Sequence, residues 1–185
     1  MPPCMADQSD KSISAGPYSD SLSSRVQQAR DYAVQAHGAQ MYGDKPYVFH
    51  LDQVVSLLKE YGEDAQVIGY LHDAVEDTAV TEADVAQVFG QFIADCVSLV
   101  SDVPGPNRKS RKAKTYARLA KVRGEHELAL VVKAADRLAN VRMCLQEQNN
   151  KLLNVYRQEQ PVFFRAAYRP GLCESFWREL QQLLQ

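Results

Sequence analysis

The 185-residue sequence carries almost no net charge: 21 Lys and Arg stand against 23 Asp and Glu, a balance of −2 at neutral pH. That argues against a dedicated nucleic-acid binder, whose affinity comes largely from neutralising phosphates. C-x-x-C pairs are missing as well. The four cysteines, Cys4, Cys96, Cys144 and Cys173, are far apart, which fits neither a disulfide framework nor a zinc cluster and points to a reducing, cytoplasmic setting. No apolar run approaches the ~18 residues needed to span a bilayer, so no membrane partner is expected. The N-terminus, MPPCMADQSDKSISAGPYSDS, lacks the basic and apolar regions of a signal peptide. Its Ser, Pro and Gly content reads as a disordered leader over residues 1–18, ahead of a single domain over 19–185. Fixed-period repeats and strand-like alternation are absent too.

What is present reads as helix almost throughout. Leu22, Val26, Ala29, Ala33 and Ala36 recur three and four apart and make one amphipathic face over 21–37. GDKPY, Gly43 to Tyr47, then forms a loop. A second helix is expected from Leu51 to Tyr61, stopped by Gly62, and a third from Asp64 to Asp77. Thr81 and Asp84 pair as a capping box for the fourth. QFIADCVSLV is the fifth helix, and SDVPGPN, Ser101 to Asn107, is a loop. The following NRKSRKAKTYARLAKVR holds many bases and no acid, a local anion site rather than a whole-surface field. Helices over 126–145, 151–168 (kinked at Pro161) and 172–184 complete a compact, multi-helix, all-α fold.

The stretch LHDAVEDT, Leu71 to Thr78, poses a charge problem. Asp73, Glu76 and Asp77 crowd beside His72, and like charges one helical turn apart repel by roughly a few tenths of a kcal/mol per pair, more if buried. On a continuous helix all four would fall within roughly 140° of arc, beside the apolar stripe of Ile68, Leu71 and Val75. A bound cation would offset the repulsion. Two more residues look out of place: His50 after the PYVF segment, and Asp136 inside the apolar run ALVVKAADRLANV, with Asn140 one turn on. A buried carboxylate requires a cation or donors. His50, His72, Asp73 and Asp136 together make a two-nitrogen, two-oxygen ligand set suited to Mn, Fe or Zn, with the carboxylates favouring Mn. Plainer readings stand beside this one. His50 can be a cap, the HD dipeptide is common, Asp136 can pair with Arg137 or Arg142, and the acidic cluster can be a solvated face.

AHGAQ, PYVFH, GYLHDAVEDT and VVKAADRLANVR together resemble the HD-domain superfamily of metal-dependent phosphohydrolases. More narrowly they resemble the hydrolase domain of RelA/SpoT-type alarmone enzymes and their small stand-alone relatives, over about Arg25 to Tyr168. The resemblance implies that His50, His72, Asp73 and Asp136 hold one Mn(II) per chain, and that Glu76 and Asp77 position and deprotonate the attacking water. The implied reaction removes pyrophosphate from the 3′ position of a nucleoside that also carries 5′ phosphates, as in (p)ppGpp. Asn140 would meet the ribose or 3′ side, and Tyr156 the 5′ phosphates. Arg108, Arg111 and Lys112 fall where the family's phosphate-contacting bases lie, a role that charge-assisted hydrogen bonds explain.

The pattern departs from the family at one place that bears on the base. A loop after the AHxGQ-like segment usually supplies an arginine that stacks on the purine; AHGAQMYGDKPY is a residue shorter and offers Tyr42. An aromatic ring stacks without the guanidinium's donors, so pppApp or ppApp rivals the guanosine substrate. The family's proline after the first metal histidine is Leu51 here. Two further readings of function are a phosphatase acting on another 2′- or 3′-phosphorylated nucleotide such as NADPH, and a non-catalytic alarmone-binding protein.

Overall fold

The computed structural model describes residues 22–185, and the expected leader over 1–18 lies outside them. The chain runs as α1 (Ser24–His37), β1 (Met41–Tyr42), β2 (Lys45–Pro46), α2 (Val48–Leu58), α3 (Glu63–Leu71), α4 (Ala74–Asp77), α5 (Glu82–Phe89), α6 (Gln91–Val100), α7 (Arg108–Leu119), α8 (Leu128–Gln146), α9 (Asn150–Ala167) and α10 (Glu174–Leu183). Short 3-10 turns precede α3 and α8, over Lys59–Tyr61 and Gly124–Glu127. The fold is all-α as expected. Its β1–β2 ribbon, two residues a side, pairs Met41 with Pro46 and Tyr42 with Lys45 across the expected loop. Among the described residues no helix is long and apolar enough to cross a membrane.

Helix starts follow local chemistry. Ser23 accepts from the Val26 amide, Asn107 from the Ser110 amide, and Thr81 with Asp84 forms the expected capping box; each satisfies a donor that the helix leaves unpaired. The central element is α8, which packs against α2, α3, α6, α9 and α10. A helix apolar on nearly every side belongs inside. Lys133 and Arg137 are nonetheless buried within it, and buried cations need partners. Pro161 is accommodated inside α9.

The expected third helix does not run through to Asp77. It stops at Leu71, and Asp73, at φ −102° and ψ −4°, bridges to the single turn of α4. On an ideal helix adjacent side chains diverge by 100°, so one unbroken helix would aim His72 and Asp73 apart. The break brings them to one point. Upstream, Gly69 lets α3 close on α2: a Cβ there would lie 2.6 Å from Leu58 Cδ1 and 3.1 Å from Val55 Cγ2.

Candidate metal centre and reaction cavity

His50 comes from the first turn of α2, His72 and Asp73 from the α3–α4 break, and Asp136 from the middle of α8. One ligand atom from each of His50, His72 and Asp73 falls in a group whose members all lie within 4.8 Å of one another. Asp136 Oδ1 joins them at 3.5 Å from His50 Nε2 and 3.7 Å from His72 Nε2. Asp73 Oδ2 lies 3.8 and 3.0 Å from the same two nitrogens. Both histidines are buried. His72 Nδ1 donates to the Gly69 carbonyl at 2.7 Å, while its Nε2 is buried without a hydrogen-bond partner. That tautomer turns a lone pair into the cluster, as a metal-ligating imidazole does. The donor set therefore fits a divalent ion. Without one, burial disfavours a charged His72, but the adjacent carboxylates of Asp73 and Asp136 prevail and raise its pKa to about 10. Burial opposes ionisation of Asp136 as well; Lys133 and the two histidines hold its pKa well below the carboxylate range.

Outer contacts fix this cluster. The Tyr47 hydroxyl donates to Asp73 Oδ2 at 2.6 Å and lies 3.1 Å from Asp77 Oδ2, while its ring stacks on His37. Asn140 Nδ2 donates to the backbone and side-chain oxygens of Asp136, and Asn140 Oδ1 accepts from the Tyr42 hydroxyl at 2.8 Å. Lys133 Nζ sits 3.3 Å from Asp136 Oδ2. The plainer pairings read for Asp136 do not form, because Arg137 engages Glu159 and Arg142 engages Glu179.

A cavity of about 180 Å³ opens over the cluster. Of the sequence-derived site residues, Tyr42, His50, Asp73, Glu76, Asp77, Arg108, Lys112, Asp136, Asn140 and Tyr156 line it, and His72 is fully buried against Asp73. Glu76 keeps solvent contact, yet enough protein encloses its carboxyl group for desolvation to raise its pKa; the Asp102 amide, donating at 2.7 Å, works the other way. Lys112 is mostly enclosed, so burial and the nearby Lys133 lower its pKa against the pull of Asp102.

Arg111 is the exception. It faces a neighbouring groove of about 510 Å³ that meets the cavity only at Glu76 and Asp77. Residues three and four apart share a helix face, but the seam between α7 and α9 admits Arg108 and Lys112 and leaves Arg111 on the other flank. Arg108 is itself engaged, donating to Glu159 through Nε at 2.8 Å and Nη2 at 3.2 Å. Tyr156 lies beneath two guanidinium groups, 4.6 Å from Arg137 and 5.6 Å from Arg108. Tyr47, Lys133, Arg137, Asp102 and Glu159 also border the site, outside the ligand and substrate residues expected from the sequence. Lys133 and Arg137 carried a signal, since both interrupt the same apolar run as Asp136; the other three sat in contexts that a surface polar residue would also occupy.

Residues 29–173 match the HD-domain family. The chain is 29% identical over 150 residues to a guanosine-3′,5′-bis(diphosphate) 3′-pyrophosphohydrolase of Aquifex aeolicus, which covers 80% of this chain and 22% of that protein. It is 27% identical over 165 residues to the bifunctional (p)ppGpp synthase/hydrolase SpoT of Escherichia coli, covering 86% of this chain and 23% of that one. The chain thus spans less than a quarter of the length of these curated relatives. Among solved structures, a metazoan ortholog of SpoT described as hydrolysing ppGpp matches with a TM-score of 0.70 at 24% identity, over 92% of this chain and 100% of that one. The last likeness is one of fold.

Proposed function

This chain belongs to the HD-domain family and is related to its RelA/SpoT-type hydrolases, and from that footing we propose that it is a manganese-dependent 3′-pyrophosphohydrolase of alarmone nucleotides. Its substrates are purine nucleosides bearing a 3′-pyrophosphate and 5′ phosphates, guanosine or adenosine. The observation that carries this reading is the convergence of two imidazoles and two carboxylates from three helical regions under one cavity, with Glu76 and Asp77 on one wall and Lys112 on another.

His50, His72, Asp73 and Asp136 would hold one Mn(II) ion per chain, which would supply Lewis acidity to the 3′ phosphoryl group and make a nearby water more acidic. Glu76, whose carboxyl group is enclosed enough for desolvation to raise its pKa, takes that water's proton. Asp77 orients the same water from the adjacent position. Lys112 and Arg108 hold the phosphate oxygens, Arg108 by exchanging Glu159 for substrate. Asn140 meets the ribose while keeping Asp136 aligned, and Tyr156 backs the basic wall on the 5′ side. Any base contact by Tyr42 is made on the ring face away from His50. The water oxygen bonds to phosphorus, the 3′ oxygen–phosphorus bond breaks, and the proton that Glu76 took passes to the departing 3′ oxygen, so that pyrophosphate and the 5′-di- or triphosphate nucleoside with a free 3′ hydroxyl are released.

Incubation with ppGpp, pppGpp, ppApp and pppApp plus Mn(II), followed by chromatography, tests this directly. Equal amounts of pyrophosphate and the 5′-phosphorylated nucleoside are expected. Orthophosphate as the released product would contradict the assignment. Glu76→Gln should bind Mn(II) as wild type does while turnover drops by about 10²–10⁴, the usual contribution of a positioned base.

A further inference from the structure

Asp102 is a buried carboxylate to which the mechanism above gives no task. Its side chain is 3% exposed, and it sits in the loop between α6 and α7. Two contacts pin the loop on either side of it. Arg118 donates to the carbonyls of Leu99 and Ser101, and the Val103 amide donates to Thr115 Oγ1 at 2.9 Å. Between these anchors Asp102 reaches both arms of the cavity. Its amide donates to Glu76 Oε2 at 2.7 Å. Its carboxylate oxygens stand 3.0 and 2.8 Å from Lys112 Nζ.

A buried carboxylate is costly unless a cation and hydrogen bonds compensate it, so its place here calls for a role beyond stability. From these contacts we infer that Asp102 is a positioning residue that sets Glu76 against Lys112, holding the proton acceptor with its main chain and the phosphate-binding ammonium with its side chain. Both arms of the reaction are thereby referred to one rigid point. A side chain whose partner is already ordered loses less freedom on meeting substrate, and a reacting geometry off by an ångström loses rate steeply. Three carboxylates act on Lys112, Asp102 from the loop, Asp136 from α8 and Glu159 from α9, while Lys133 repels it; of the three only Asp102 is in direct contact. The inference rests on the roles proposed above for Glu76 and Lys112.

The test compares wild type, Asp102→Asn, Lys112→Met and the double variant, all loaded with Mn(II) and freed of excess metal. Titration with inorganic pyrophosphate reads the Lys112 arm without turnover. Asp102→Asn should weaken pyrophosphate binding about tenfold, and the double variant should bind no worse than Lys112→Met, because residues acting through one contact are non-additive. With ppGpp or pppApp as substrate, Asp102→Asn keeps the amide on Glu76 and should act mainly through Lys112, raising KM about tenfold; Asp102→Pro, which removes that amide, should lower kcat about tenfold below Asp102→Asn, reporting Glu76. Wild-type pyrophosphate affinity in Asp102→Asn, multiplicative losses in the double variant, or a kcat in Asp102→Pro equal to that of Asp102→Asn would each overturn the inference. Should Asp102→Asn fail to fold, Asp102→Glu carries the test: the same charge on a longer stem should give an intermediate affinity, and wild-type affinity there would also overturn it. Failure of the proposed function looks different, as a wild-type protein that turns over none of the four nucleotides.

Discussion

Tyr42 lies flat on His50, with ring centroids 4.6 Å apart and planes 16° from parallel. The same tyrosine donates its hydroxyl to Asn140, which in turn holds Asp136. One side chain from the β-ribbon therefore braces a candidate ligand on α2 and another on α8. The residue that departs from the family pattern is thus built into the candidate metal site.

Tyr42→Phe keeps the stack and loses the hydroxyl. Outer contacts of this kind are worth about 10- to 100-fold in metal affinity, so Mn(II) should bind at least tenfold more weakly, measured by calorimetry. Tyr42→Arg removes the stack as well; it should weaken Mn(II) further and shift the kcat/KM ratio toward guanosine substrates. An unchanged substrate ratio would detach this loop from base choice.

Metal uptake should expel a proton. In the ion-free site His72 has a pKa raised to about 10 and carries its proton at neutral pH, while coordination requires the neutral ring. A raised pKa of this sign means that acid opposes the metal. Apparent affinity should climb about tenfold per pH unit up to that pKa. Calorimetric enthalpies in buffers of different ionisation heat should give a slope of about one proton per ion, and a flat dependence would contradict this.

Glu159 ties α9 to α7 and α8 by accepting from Arg108, Arg137 and the Tyr116 hydroxyl. Burial alone would raise its pKa, but the hydrogen bonds from Arg108 and the charges of both arginines lower it. A carboxylate depressed on folding adds stability that is present above its unfolded pKa and fades as pH falls through its folded one. Glu159→Gln, which leaves Arg137 buried without an anion, should cost about 3 kcal/mol at pH 7. The gap in Tm from wild type should narrow as pH falls below about 4.3, where half of unfolded glutamates are protonated. A gap that does not change with pH would rule out this linkage.

Gly69→Ala should destabilise by about 1–3 kcal/mol, because the added methyl meets buried Leu58 and Val55 and the core resists overpacking. The carbonyl of Gly69 also orients His72, so Mn(II) affinity should fall with Tm. Denaturant melts paired with metal titration check both.

The all-α class, the caps and most helix ends could be read from the sequence because each rests on neighbours within four residues: Thr81 with Asp84, Asn107 with Ser110, Gly62 and Gly90 at positive φ. His72 and Asp73 stand out through the crowded charges of LHDAVEDT, and His50 and Asp136 as polar residues out of place in their surroundings. The break at His72–Asp73 does not, since no Pro or Gly marks it and tertiary convergence outweighs helix continuity there. Tyr47, Asp102 and Glu159 act across separations of 10 to 51 residues, beyond the reach of one helical turn. The displacement of Arg111 from Lys112 depends on where α9 lies against α7, which is a property of packing and not of spacing.

The most direct measurement is an anomalous difference map at the manganese edge from crystals grown with Mn(II). The expected result is one strong peak per chain, coordinated by His50 Nε2, His72 Nε2 and the carboxylates of Asp73 and Asp136, and lost in Asp136→Ala. A map with no peak among these four side chains at saturating Mn(II), or a peak that survives Asp136→Ala unchanged, would contradict the account.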